Sequence, residues 1–351
     1  MKSVRLACFT LIGALYLSAC ANVTQPDVSP APDAALSARP YIPSVSEEPK
    51  TQVGFFFDTV ITMRVYTDND ALLDEALEAC QYYDALLSKT SEVSDVWKLN
   101  HAGGSRVSVS DETREILEKA IDYSRLSDGA FDVTVEPCVA LWDLSAQPPV
   151  LPDAAALAQA AEKVDWTQID LDEDGVMLPD GVTIDLGAIA KGYITDKIAQ
   201  LLRRGGVTSG YLNFGGNVYV IGAKPDGSPW NIGIQDPKGV QQQSIVGAVP
   251  ITDKAVVTSG IYERGFDLDG VRYHHILDPA TGWPTQNELA GVTIVTDNAF
   301  DADALSTTLF TLGTERGMAL AQSLPGVEAV FIDRDNNVSY TPGLEGVFIP
   351  M

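Results

Sequence analysis

The stretch Ile184-Asp185-Leu186-Gly187-Ala188-Ile189-Ala190-Lys191-Gly192-Tyr193 is where the chain changes from extended to helical habit. Ile184 to Leu186 reads as the end of a strand, Gly187 breaks it, and Ile194, Ile198 and Leu201 then share one face of a helix running to Arg204. Just upstream, Ile169 to Val182 predicts a hairpin turning at Asp174-Gly175, and downstream Tyr211 to Ile221 is a strand interrupted by Gly215-Gly216. A single strand-to-helix passage between hairpins is not a repeated βαβ period. Farther out, Val53 to Tyr66 is apolar and β-branched and predicts one buried strand, Asp70 to Ser88 an amphipathic helix, and Ser110 the cap of a helix ending near Ser127-Asp128-Gly129. Ala154 to Lys163 predicts a further helix, and Trp230 to Val295 a series of short strands. Asp301 to Leu312 and Glu315 to Leu324 predict two more helices, and Val327 to Val347 a return to strands. The expected class is α+β, with mixed or antiparallel sheets packed with helices and no internal repeat.

The chain has 351 residues, 45% of them apolar, which suffices for a substantial core over residues 51–351. Its 23 basic and 48 acidic residues give a net charge of −25, with no Lys/Arg stripe, so nucleic acid and anionic headgroups are excluded as natural partners. Four Cys and three His are too few for a disulfide scaffold or a zinc site built on several of them.

Lys2 and Arg5 precede a twelve-residue apolar run, Leu6 to Leu17. As a helix that run would span about 18 Å, short of a hydrocarbon core of about 30 Å. Leu17-Ser18-Ala19-Cys20 then has the form of a bacterial lipobox, so residues 1–19 are expected to be a signal removed before a lipidated Cys20. Loss of Lys2 and Arg5, with no acid, takes the net charge from −25 to −27. Residues 21–50 carry six of the twenty prolines and predict an extended spacer between an extracytoplasmic, lipid-anchored terminus and the folded body. Cys80 lies on the apolar stripe of its helix and is expected to be a buried free thiol; Cys138 is open to either reading.

Several short patterns carry chemistry. Asp170-Leu171-Asp172-Glu173-Asp174-Gly175 has the opening of a calcium loop, but Gly181 stands where a bidentate Glu belongs, and a hairpin turn fits better. In the 184–193 stretch, an acid followed by a small-residue turn opens a helix whose free N–H groups suit a phosphate. Leu212-Asn213-Phe214-Gly215-Gly216-Asn217 and Thr258-Ser259-Gly260 are further tight polar turns, the first readable equally as a bulge. His274 and His275 sit side by side, so strand alternation sends only one of them into any given site. Asp303 and Thr307, four residues apart on a helix, offer a carboxylate and a hydroxyl to a hard ion such as Mg²⁺; alternatively Asp301 caps the helix and Thr307 bonds the Asp303 carbonyl.

In this order the blocks resemble the FAD:protein FMN transferases, the ApbE family. They are Phe57-Asp58-Thr59, Gly129 to Thr134 with Leu141-Trp142, Asp185 to Tyr193, Asn213 to Asn217, Ser259 to Arg264, His275 to Pro279 with Thr281-Gly282, and Asp303 to Thr307. The resemblance covers about residues 53–349 and implies an ApbE-like flavin transferase fold. It implies Mg²⁺ held by Asp303, Thr307 and the backbone carbonyl of Ala188, and FAD against Phe57, Ala130, Phe131, Asp132, Asp185, Lys191 and Ile276. His275, taken as a histidine titrating near neutrality, becomes the candidate base. The implied reaction moves FMN from FAD to a Ser or Thr hydroxyl of a separate exported protein, such as an electron-transport subunit, and releases AMP. Two other readings stand beside it: hydrolysis of FAD to FMN and AMP, and a lipoprotein that binds flavin or another solute without catalysis. Two departures are noted: Trp97 within Ser94 to Asn100, and Phe57 where relatives often have Met.

Overall fold

The computed structural model describes residues 46–239 and 244–351. The expected signal (1–19), the lipidated Cys20 and the spacer up to residue 45 lie outside the described residues. Among the described residues no helix is long and apolar enough to cross a membrane.

Val53 to Tyr66 is not one buried strand. It is a hairpin, β1 (Lys50–Phe56) and β2 (Thr59–Val65), turning on Phe57 and Asp58. Both turn residues have φ of 56°, the left-handed pair that a two-residue hairpin turn requires. An apolar run hides such a turn because neither residue is glycine. Five helices follow. In α1 (Asp70–Leu87), Leu72, Leu73, Ala76, Cys80 and Tyr83 form the buried stripe. α2 (Asp95–Asn100) is capped by Ser94, and α3 (Asp111–Leu126) by Ser110, whose hydroxyl accepts from the Thr113 N–H at 3.1 Å. α4 (Glu136–Val139) and α5 (Ala154–Ala161) are short. Cys80 and Cys138 are both buried and free, with burial pushing their thiols up to about 12 and about 11. The expected hairpin forms from β3 (Asp170–Asp172) and β4 (Gly175–Met177).

Ile184 to Leu186 joins no sheet, contrary to the strand expected there. Its backbone groups are satisfied from elsewhere: the Asn100 side chain donates to the Ile184 carbonyl (2.9 Å) and accepts its N–H (2.7 Å), and the Asp185 N–H donates to Val133 (2.8 Å). The helix that follows is α6 (Ala190–Arg204). Next come β5 (Gly210–Phe214), β6 (Asn217–Ile221), β7 (Trp230–Gln235), β8 (Ile245–Ile251), β9 (Ala255–Gly260), β10 (Gly265–Leu268), β11 (Val271–His274) and β12 (Leu289–Thr296). α7 (Ala299–Ser323) contains both helices expected there, joined at Gly313, whose φ of 76° and ψ of 175° break the helical path. β13 (Glu328–Asp333), β14 (Val338–Tyr340) and β15 (Ile349–Pro350) end the chain.

The main sheet has eight strands in the order β1-β2-β5-β6-β9-β12-β13-β14, every neighbouring pair antiparallel. The α+β class holds. One face of the sheet packs on α1, α6 and α7 through a core that includes Ile61, Met63, Tyr193, Phe214 and Phe310. Each such side chain fully removed from water stabilises the fold by roughly 1.5–3 kcal/mol. The other face packs on the small sheet β15-β8-β7 through Val220, Ile234, Val249 and Val330.

Candidate active site

The bend between Asp185 and Ala190 is built by its own polar groups. The Asp185 carboxylate accepts the Gly187 N–H at 2.7 Å, and the Ala190 N–H donates to Leu186 at 2.8 Å, starting α6. Lys89 holds the bend from outside, its ammonium 2.8 Å from Asp185 and 2.9 Å from Glu136. Desolvation works against charge on Asp185, but the Lys89 ammonium and the Gly187 N–H hold its carboxyl below the usual range. Glu136 is pushed up to about 7, mainly by desolvation, with the Asp185 charge adding to it and Lys89 opposing.

Gly192 is the third residue of α6, so its N–H is one of the free donors of the helix start, and it donates to the Asp303 carboxylate at 2.8 Å. Such an approach needs a glycine: a Cβ on Gly192 would lie 2.2 Å from the Ala299 carbonyl oxygen and 2.7 Å from Asp303 Cβ. The first turn of α7 is fixed by Asn298, which accepts the Asp301 N–H at 2.7 Å, and by Asp196, which accepts those of Ala299 and Phe300. Asp301 is therefore not the cap.

Asp303 is buried, and the Lys191 ammonium stands 3.5 Å from its Oδ1 and 2.9 Å from the Gly187 carbonyl oxygen. The Thr307 hydroxyl meets Ser259 Oγ at 3.3 Å, while Ser306, not Thr307, bonds the Asp303 carbonyl. The bend and the Asp303/Thr307 turn are thus adjacent. Among the described residues no three His, Cys, Asp or Glu cluster around a common point. The candidate donor set is instead one carboxylate oxygen (Asp303), one hydroxyl (Thr307) and one backbone carbonyl (Ala188), oxygen ligands of the kind that fit Mg²⁺, an ion that completes its shell with phosphate and water. Asn217, on the helix-facing side of the sheet and buried, has an amide Nδ2 with no partner, a donor left over beside the Gly215-Gly216 turn.

The two histidines part as alternation requires. His274 is wholly buried, accepting the Ile276 N–H and donating from Nε2 to the Thr285 carbonyl at 3.0 Å. His275 is half-buried, and its Nδ1 lies 3.4 Å from the Arg264 carbonyl oxygen. A carbonyl only accepts, so the lone pair of His275 is on Nε2. Burial lowers the His275 pKa to about 4, not the near-neutral value expected, so the ring is unprotonated at pH 7. Arg264 also reaches the Asp58 carbonyl at 3.4 Å, which links His275 to the β1–β2 turn. There Phe57 is half-buried, with its N–H held by Asp84 at 2.9 Å.

The remaining predicted positions differ in what they expose. Ala130 is half-buried. Phe131 and Ile276 are buried, the former edge-on to Tyr123. Asp132 is buried with its carboxylate committed to the Thr134 N–H and hydroxyl and the Trp166 N–H, so only its backbone is free to face a ligand. Lys89 and Glu136 join the Asp185 bend, and Asn217 leaves a buried donor beside the Gly215-Gly216 turn; none of the three is singled out by the sequence as a site residue. Lys89 and Glu136 meet Asp185 from 96 and 49 positions away, with no local signal, whereas Asn217 lay inside the Gly215-Gly216 block.

The sequence model of the ApbE family matches residues 57–331. The FAD:protein FMN transferase of Treponema pallidum is 37% identical over 309 residues, 82% of this chain and 85% of its own; that of Klebsiella pneumoniae is 35% identical over 282 residues, 79% and 87%. Among solved structures, the ApbE protein of Thermotoga maritima superposes with a TM-score of 0.79 at 31% identity, covering 86% of this chain and 99% of that one. The flavin transferase ApbE of Vibrio cholerae gives 0.77 at 28%, with the same coverage. With the bend, the Asp303 turn and most of the antiparallel sheet falling inside the matched region, this chain belongs to the ApbE family.

Proposed function

We propose that the protein is a flavin transferase that moves FMN from FAD to a Ser or Thr hydroxyl of a separate exported protein, with Mg²⁺ required. The observation that carries this reading is the 2.8 Å bond from Gly192 N–H to Asp303. It ties the start of α6 to the helix turn that carries Asp303 and Thr307, with Lys191 3.5 Å from the Asp303 carboxylate, which supports a shared site for the three. Asp303, Thr307 and the Ala188 carbonyl would hold Mg²⁺, which when bound neutralises and orients the two phosphates of FAD. Lys191 adds a cation to the same phosphates. Phe57, Ala130, Ile276 and the backbone at Phe131-Asp132 would line the flavin nucleotide, with Asp185 shaping the bend beneath it. His275, neutral and with its Nε2 lone pair free, takes the proton of the attacking hydroxyl. The hydroxyl oxygen bonds to the FMN-side phosphorus, the pyrophosphate bond breaks, and AMP leaves with the bridging oxygen. Water in place of the hydroxyl would give FMN and AMP.

The proposal places the protein outside the cytoplasm, anchored by lipid on Cys20; Lys2, Arg5, the apolar run and Leu17-Ser18-Ala19-Cys20 support this. Incubation with FAD, Mg²⁺ and exported proteins of the source cell should yield a fluorescent flavin band on a denaturing gel. Asp303→Ala should abolish the band; undiminished labelling by that variant overturns the site assignment.

A further inference from the structure

Among the described residues the main sheet ends at β1, and that edge is open. In a hairpin closed by a two-residue turn, the pair flanking the turn is hydrogen-bonded, here Phe56 with Thr59. Phe56, Gly54 and Gln52 therefore bond β2, and the N–H and C=O groups of Phe55, Val53 and Thr51 point away from the sheet. No described residue pairs with them. Their side chains are unpartnered as well: Val53 is 58% exposed and Phe55 67%, and Val60, opposite Phe55 on β2, is 56% exposed. The other side of β1 is occupied, since Gly54 and Phe56 face Leu77 and the helical core.

An edge this apolar invites pairing, and proteins normally blunt such edges with a bulge, a proline or inward charge. Here the register with β2 is unbroken, and the one lysine, Lys50, stands at the far end, tied to Asp70. The near end runs into the candidate active site. Past Phe56 the turn continues to Phe57 and Asp58, and Asp58 is linked through Arg264 to His275. A strand laid along β1 advances about 3.3 Å per residue, so two or three residues beyond Phe56 carry it to that turn.

We infer that the open edge of β1 is where the flavin acceptor protein docks, by adding an extended segment to the sheet and laying its alternate side chains on Val53, Phe55 and Val60. This rests on the flavin-transfer reading. Main-chain bonds to Thr51, Val53 and Phe55 supply affinity with little sequence demand, and the three side chains supply preference for apolar residues at every second position. The continuity of the edge with the His275 turn favours the acceptor over a second copy of this chain.

The test uses the full chain and, as probe, the exported protein that carries the fluorescent band. Val53→Pro removes one outward donor and leaves the β2 ladder intact, because edge strands tolerate proline where the N–H faces out. Phe55→Ser removes the ledge and serves if the proline variant does not fold. For either, the expected result is a KM for the acceptor raised at least tenfold, with cleavage of FAD by water within twofold of the parent. Transfer at the parental KM in both variants overturns the inference, as does a dimer seen by sedimentation that Val53→Pro dissolves without changing KM. A parent chain that labels no exported protein defeats the flavin-transfer reading itself, and is thereby distinguished from failure of the docking edge.

Discussion

Gly192→Ala separates the stability of the fold from the geometry of the site. The added Cβ would sit 2.2 Å from the Ala299 carbonyl oxygen, 2.8 Å from its carbon and 2.7 Å from Asp303 Cβ. The oxygen is short of ordinary contact by about 1 Å, and two of the three atoms are backbone, so no side-chain rotation relieves it. The helices must part by roughly that distance, at an overpacking cost of about 1–3 kcal/mol. Alanine recovers about 1 kcal/mol of helix propensity over glycine, so the net loss of stability is expected at or below about 2 kcal/mol. The site has no such compensation. Gly192 is the donor that holds Asp303 against the bend. A displacement of about 1 Å in a positioned group costs of the order of 10²-fold in rate. We expect a variant that melts within a few degrees of the parent, loses about a hundredfold in FMN transfer, and needs more Mg²⁺ for half-maximal rate. Thermal unfolding, gel-based transfer and a Mg²⁺ titration measure the three quantities. A variant within twofold of the parental rate at every Mg²⁺ concentration would refute the reasoning.

Two further predictions follow from the titrating groups. His275→Ala should slow transfer about 10²–10⁴-fold while FAD affinity by fluorescence quenching changes little; and because burial lowers the His275 pKa to about 4, the parental rate should be level above about pH 5 and fall as pH drops through about 4. Equal losses of rate and affinity would make His275 a binding or structural residue. Glu136, raised to about 7 from 4.5, holds a proton in the native state that the unfolded chain has lost, so its contribution to stability is complete below about 4.5 and is lost as pH rises through about 7. Glu136→Gln should therefore flatten the fall in melting temperature between about pH 4.5 and 7, and an unchanged slope would show that the Lys89 cluster does not titrate there.

What could be read from the sequence follows from how local each signal is. Ser110 marks a helix start because its hydroxyl bonds an N–H three residues on, and the two expected α7 segments meet at Gly313 because only glycine readily adopts its backbone. His274 and His275 separate by simple alternation. The failures lie where distant residues override the local pattern. Ile184 to Leu186 has the composition of a strand, yet its hydrogen bonds are taken by Asn100, 84 residues earlier, and by Val133. The turn at Phe57-Asp58 gives no glycine or proline to announce it. Asp185 and Lys191 were legible because they border a glycine bend; Lys89 was not, because its part is set by where the loop after α1 meets that bend. The pKa of His275 depends on burial, which no spacing reports.

The charge of the site makes one more demand. Asp303 is the single carboxylate in the proposed donor set, and Lys191, 3.5 Å away, already balances it. A divalent ion brought there alone gains little from a pair whose formal charges cancel, and Mg²⁺ surrenders its water reluctantly. The two phosphates of FAD add negative charge at that point, so ion and dinucleotide should each be held weakly alone and tightly together. By linkage, the factor by which FAD tightens Mg²⁺ must equal the factor by which Mg²⁺ tightens FAD. Calorimetric titration of Mg²⁺ into the protein with and without FAD, and of FAD with and without Mg²⁺, closes that cycle. Lys191→Met should lessen the contrast by strengthening Mg²⁺ binding to the free protein. Tight Mg²⁺ binding by the unliganded parent, unchanged by FAD, would mean that the ion is held by a more acidic set of residues than Asp303, Thr307 and the Ala188 carbonyl.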